Sequence, residues 1–183
     1  MSATTLLLCT DMDRTVIPND SHPEDPRARP YLHRLARRDD VCLVYVSGRD
    51  IGLVEQAIAD FALPQPTYVI SDVGTCIHQW HQQGWRPNED WAVRIASDWA
   101  GMTGWELMPL LIDPLRTGML SGLPDIAPQE AERQNRFKVS FYTGLTLEQR
   151  LLDRLSSDLE AAGLHSNLVW SIDEPAQRGL LDV

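Results

Sequence analysis

Three short apolar runs, each cut off by polar or glycine residues, constrain this chain more than any other feature. Thr5–Thr10 (TLLLCT) ends at Asp11, Val41–Val46 (VCLVYV) ends at Ser47-Gly48-Arg49, and Thr67–Ile70 (TYVI) ends at Ser71-Asp72-Val73-Gly74. Runs this short and apolar, without alternation, read as strands buried on both faces. Two stretches with helical spacing separate them. Prolines 23, 26 and 30 open the first after His22, with Tyr31, Leu32, Leu35 and Ala36 as its apolar stripe. Asp50 opens the second, whose buried face is Leu53, Val54, Ala57, Ile58 and Phe61. Strand, helix, strand, helix, strand at these lengths builds βαβ units and a parallel sheet. Right-handed crossovers bring the C-terminal strand ends to one edge, where open α/β sheets bind their ligands.

After Gly74 the rhythm changes. Thr75–Gln79 and Trp85 suggest a hairpin around Gly84. Asn88 caps a helix with Trp91, Ile95 and Trp99 on its stripe and Gly101 as its stop. Residues 106–135 are rich in proline and loop formers and carry no clear period. Phe137–Tyr142 alternates as a strand. Thr146 with Gln149 makes a capping box for a helix with Leu147, Leu151, Leu155 and Leu159 inward, ended by Gly163. Leu168–Ile172 and Gly179–Val183 read as two final strands.

Composition narrows the function classes. Sixteen basic residues against 26 acidic ones give a net charge of −10, which disfavours a nucleic-acid backbone as partner. No apolar run reaches the ~18–20 residues of a bilayer span, so no membrane partner is expected. Met1–Thr5 carries no positive charge before its apolar stretch and does not read as a signal peptide. Cys9, Cys42 and Cys76 are odd in number and far apart, as reduced thiols on buried strands would be, and a cytoplasmic setting is expected. Fifteen of the basic residues are arginine, so Lys138 is the one candidate for any lysine chemistry.

The chemistry-bearing residues cluster at strand ends. Asp11 and Asp13, two apart as the chain leaves the first strand, can share one site. Two carboxylates that close call for a cation between them or a shared proton. Mg²⁺ suits such oxygen ligands, with substrate phosphate and water completing its shell. Ser47 adds a hydroxyl, and the amides at a helix N-terminus beside Gly48 and Arg49 form an oxyanion or phosphate site. Neighbouring parallel strands deliver all of these to one crevice.

The strand-DxDxT element followed by strand-SGR resembles the haloacid dehalogenase-like superfamily of phosphatases. More narrowly, CTDMDRTVIPND, YVSGRD, ISDVGT, FKVSFY and WSIDE…GLLDV resemble its sucrose-phosphate phosphatase-like branch, along nearly the whole chain. The resemblance implies an α/β fold: a Rossmann-like parallel-sheet core, begun by residues 1–77, and a large α+β cap over 78–183. It implies a Mg²⁺-dependent phosphatase acting on a sugar phosphate monoester, sucrose 6-phosphate or a similar glycosyl phosphate. Asp11 would be the nucleophile and form an aspartyl-phosphate, while Asp13 would protonate the leaving oxygen and then take a proton from water. Asp11 and the backbone carbonyl of Asp13 would bind the metal. The implied substrate-binding set is Thr15, which orders the loop, with Ser47, Gly48, Arg49 and Lys138. Arg14 stands where the superfamily more commonly has glycine.

The departures from the pattern matter as much. The superfamily places a lysine after its cap and then acidic residues in a GDxxND-like stretch, and neither follows here. Lys138 lies in the cap-strand motif FKVSFY, as a solvated alternate position or as a group reaching a sugar hydroxyl or phosphate. Asp173 and Glu174 match a hairpin. The chain is therefore expected to be truncated at the cap–core boundary, which would leave the first strand as an exposed sheet edge. The alternatives are a catalytically incompetent fragment or phosphosugar-binding remnant, and a phosphosugar mutase-type relative. Five of six tryptophans lie within 26 residues (Trp80, Trp85, Trp91, Trp99, Trp105); Trp91 and Trp99 read as core, with Trp80 and Trp85 freer to stack on a sugar. The five histidines show no metal-ligand spacing. Asp72 and Thr75 either line the crevice or form the turn that closes the third strand. Which sugar phosphate is bound and which oligomer forms are not legible from these residues.

Overall fold

A computed structural model describes residues 6–18, 23–82, 84–113, 118–120 and 125–183. The expectations for Met1–Thr5 and His22 lie outside them. The chain divides into two compact units, Met1–Trp91 and Ala92–Val183.

The first unit holds a five-stranded sheet in the order β1-β2-β3-β4-β5. Strands β1 (Leu6–Asp11), β2 (Val41–Val46) and β3 (Tyr68–Ser71) run parallel, and β4 (Cys76–His81) and β5 (Gly84–Pro87) fold back antiparallel as a hairpin. Crossovers α1 (Ala28–Ala36) and α2 (Ile51–Asp60) complete the two βαβ units. Asp50 caps α2 by accepting the Leu53 N–H at 2.9 Å, and Val54 and Ala57 bury its inner face. The core gathers Met12, Ile17, Leu43, Tyr45, Val54, Ala57, Leu63 and Val69.

Strand β1 forms the edge of the described sheet, with Leu6 and Leu7 exposed at 50% and 62%. Burial corrects two readings in this unit. Cys9 is exposed rather than buried. Tyr31 leaves the stripe of α1 and is exposed, with the Arg34 guanidinium 4.3 Å from its ring centroid. The division after Trp91 keeps the β4–β5 hairpin in the first unit, where it pairs onto β3 and continues the first sheet. The Trp80 and Trp85 rings face each other edge-on across that hairpin at 5.1 Å, and the Trp91 indole N–H donates to the Gly74 carbonyl at 3.0 Å.

The second unit contains α3 (Glu89–Ala96, which begins before the division), α4 (Gly104–Ile112) and α5 (Gln149–Ala161). Its four-stranded antiparallel sheet has the order β6-β7-β9-β8, formed by β6 (Ala127–Pro128), β7 (Ser140–Thr143), β8 (Val169–Asp173) and β9 (Arg178–Asp182). Asn88 caps α3 as expected, its side-chain oxygen accepting the Trp91 N–H at 2.9 Å. The helix stops at Ala96, so Trp99 reaches the core from a turn and packs edge-on against Phe137. Helix α4 falls inside the stretch without a clear period. Its signal is the Thr103–Glu106 capping box, in which the Glu106 carboxylate accepts the Thr103 N–H and hydroxyl, each at 2.8 Å. Helix α5 starts three residues past Thr146, which therefore does not cap it, while Leu155 and Leu159 are buried as the spacing requires. Asp173 and Glu174 sit in the β8–β9 hairpin, where Arg178 donates to Asp173 at 3.1 Å.

Candidate phosphate site at the parallel strand ends

Asp11 is the last residue of β1 and lies opposite Val46, the last residue of β2. The chain then turns sharply. The Met12 carbonyl accepts the N–H groups of Thr15, Val16 and Ile17 at 3.3, 3.1 and 2.8 Å, and Met12 and Ile17 are buried beneath the loop. Arg14 adopts φ +62°, the left-handed region that glycine enters freely. That explains why glycine is the commoner residue there, and why arginine carries a backbone cost of ~1–2 kcal/mol. With the loop anchored by its apolar residues, Asp11, Asp13 and Thr15 face outward and exposed. The Thr15 hydroxyl donates to Asp11 Oδ2 at 3.0 Å, which gives Thr15 a direct hold on the expected nucleophile.

The second loop reaches the first through one contact. Arg49 donates from Nε to Asp13 Oδ2 at 3.0 Å and from a terminal nitrogen to Asp13 Oδ1 at 2.6 Å. This two-point ion pair joins residues 36 apart in sequence. The hydrogen bonds to Asp13 hold the Arg49 guanidinium firmly protonated, raised further above its already high range. Ser47 is buried, and its Oγ accepts the Arg49 backbone N–H at 3.2 Å. Gly48 lies between them, exposed; a Cβ there would meet Val73 Cγ1 at an ordinary 3.5 Å, so close packing does not demand glycine.

The third strand end closes as a turn. Asp72–Gly74 forms one 3₁₀ turn, with the Thr75 hydroxyl and N–H donating to the Asp72 carbonyl at 2.9 and 3.1 Å. Asp72 and Val73 both take positive φ, +54° and +53°, an unfavourable conformation for two successive non-glycine residues. Asp72 is buried, its N–H donates to the Arg49 carbonyl at 2.8 Å, and its carboxylate accepts the Ser71 hydroxyl at 3.0 Å. Burial holds the nearby His78 imidazole below its ordinary pKa, an effect that Asp72 partly opposes. Nothing in the local sequence marked the Asp13–Arg49 pair or the Asp72–Arg49 tie.

Lys138 belongs to the second unit. It is only 4% exposed, and the run from Phe137 to Phe141 is buried throughout, so the solvated alternate position does not exist. Helix α4 comes close to the backbone of this segment: a Cβ on Gly104 would lie 3.2 Å from the Lys138 carbonyl.

As metal ligands, Asp11 and the Asp13 carbonyl are hard oxygen donors of the type Mg²⁺ selects, and they account for two of its six positions. The Asp13 carboxylate is occupied by Arg49. Among the described residues no group of three His, Cys, Asp or Glu side chains could hold a metal ion. His78 and His81 both lie on β4. At a spacing of three they point to opposite faces of the strand.

Comparison with known proteins agrees with this architecture. A family model for sucrose-6F-phosphate phosphohydrolases matches residues 4–177. A protein of Nitrosococcus oceani described as a HAD-like hydrolase is 42% identical over 181 residues, covering 97% of this chain and 46% of its own length. Among solved structures, the sucrose-phosphatase of Synechocystis sp. PCC6803, in complex with sucrose and phosphate, superposes with a TM-score of 0.69 at 22% identity. That match covers 98% of this chain and 64% of the other. A haloacid dehalogenase-like hydrolase protein of Bacillus subtilis gives 0.54 at 16% identity, over 97% and 64%. The chain thus spans about half the length of its Nitrosococcus relative. With the DxDxT loop, the SGR loop and the α/β fold in place, the chain belongs to the sucrose-6F-phosphate phosphohydrolase family of haloacid dehalogenase-like proteins.

Proposed function

We propose that these strand ends form the nucleophile half of a phosphatase site for a sugar phosphate monoester, sucrose 6-phosphate or a close glycosyl phosphate. One observation carries the reading: the Asp13–Arg49 pair, which joins the DxDxT loop to the SGR loop. Family membership and the sucrose and phosphate held by the Synechocystis structure support the choice of substrate class.

In this reading the Asp11 carboxylate, steadied by Thr15, attacks phosphorus in line and the P–O bond to the sugar breaks. Asp13 supplies the proton to the departing sugar oxygen, then takes one from the water that hydrolyses the aspartyl-phosphate, releasing phosphate and restoring Asp11. Ser47 and the amides beside Gly48 hold the phosphoryl oxygens. Mg²⁺, held by Asp11 and the Asp13 carbonyl, would offset the charge of the phosphate on a chain of net charge −10. The reading requires no step through the buried Lys138. A small-molecule sugar phosphate is the partner, and three free thiols, one of them exposed, fit a cytoplasmic setting. Among the described residues no helix is long and apolar enough to cross a membrane.

The test measures phosphate release from sucrose 6-phosphate by the full-length protein, with Mg²⁺ and with chelator. Turnover is expected only with Mg²⁺ and is expected to vanish in Asp11→Asn, whose amide cannot form the acyl phosphate. Turnover retained by Asp11→Asn removes Asp11 as nucleophile; equal rates with chelator remove the metal.

A further inference from the structure

We infer that Arg49 is an exchangeable clamp: it pairs with Asp13 and transfers its guanidinium to the phosphate when substrate enters. The inference rests on the phosphatase reading above and adds a coupling that reading lacks. Both Asp13 oxygens are bonded to Arg49, one to Nε and one to a terminal nitrogen. Each Asp13 oxygen thus gives one acceptor position to Arg49, and a guanidinium released from this pair is available to a phosphate.

The structure ties down the Arg49 backbone and leaves its side chain toward the surface. The Arg49 backbone is pinned on both sides, its N–H on Ser47 Oγ and its carbonyl on the Asp72 N–H. The two paired side chains are exposed at 32% and 50%, so exchange requires no repacking of the core. A phosphate dianion carries more charge than a carboxylate and offers the same two-point geometry to a guanidinium fork. Its binding at Ser47 places it beside the pinned Arg49 backbone. Phosphate entry and release of Asp13 then become one event.

The test is a double-mutant cycle on the affinity of the full-length protein for inorganic phosphate, measured by calorimetry with Mg²⁺ present. Asp13→Ala removes a negative charge, which strengthens phosphate binding in any background. It also frees Arg49, which strengthens binding only where Arg49 is present. The gain from Asp13→Ala is expected to be about fivefold larger with Arg49 than with Arg49→Met, the factor set by ~1 kcal/mol for a half-exposed pair. Asp13→Asn and Arg49→Lys run the same cycle should either first variant melt early. Equal gains in both backgrounds overturn the clamp and leave the phosphatase reading standing. Failure of the wild-type protein to bind phosphate at millimolar concentration overturns the phosphate site itself.

Discussion

Thr15→Val is the sharpest probe of the proposed nucleophile. The substitution is close in volume and removes the hydroxyl that donates to Asp11 Oδ2 at 3.0 Å. Both residues are exposed, so the bond sits at the low end of its range for folding, and the melting temperature is expected to fall by only about 2–8 °C. Catalysis is another matter. The bond orients a carboxylate that otherwise rotates among staggered wells on an exposed loop. Hydrogen bonds to charged groups are worth ~1.5–3 kcal/mol, and exposure places this one at about 1–2 kcal/mol. Losing the donor also leaves Asp11 more electron-rich, which favours attack and opposes the loss of orientation. Orientation is expected to win, because misplacing a reacting atom by an ångström costs far more than a small change in basicity gains. The expected outcome is a fall of about 5- to 30-fold in kcat/KM for sugar phosphate hydrolysis by the full-length protein, at ~1.4 kcal/mol per tenfold. Thr15→Ser should restore most of it. A Thr15→Val enzyme within twofold of wild type would refute the claim that this hydroxyl positions Asp11.

Three further outcomes follow from particular contacts. Ser47→Ala should lower kcat/KM roughly ten- to thousandfold, the range for one lost oxyanion donor, and it also strips the Arg49 N–H of its acceptor; unchanged kinetics would make Ser47 a turn residue only. Gly179→Ala should destabilise the second unit by about 1–3 kcal/mol. The new Cβ would lie 2.6 Å from the Gly144 carbonyl and 2.8 Å from the Trp170 indole nitrogen, which donates to Thr143 at 3.2 Å; an unchanged thermal melt contradicts this. Because burial lowers the folded pKa of His78, the unfolded chain binds a proton that the folded one resists. Stability should therefore fall as pH drops through and below ~6.5, the unfolded value, and His78→Gln should flatten that fall; parallel melting curves for the two proteins would exclude His78.

The parts of the fold that could be read directly are those whose signal is local. Three apolar runs became β1, β2 and β3, and Asp50 and Asn88 cap helices through their own side chains. Local signals failed where two of them competed. Pro109 lies inside α4 and masks its capping box, since proline ordinarily stops a helix. Thr146 offers a second capping box that α5 bypasses by starting at Gln149.

The sequence by itself determined which groups gather at the strand ends. Parallel pairing with right-handed crossovers sends Asp11, Asp13, Ser47 and Arg49 to one edge whatever the remaining chain does. What those groups do to one another was decided only by tertiary structure. The Asp13–Arg49 pair spans 36 residues, and its partners are exposed enough that each could have pointed into solvent. Lys138 sits in a run of alternating polarity, yet it is buried with its neighbours, which no pattern around Lys138 records.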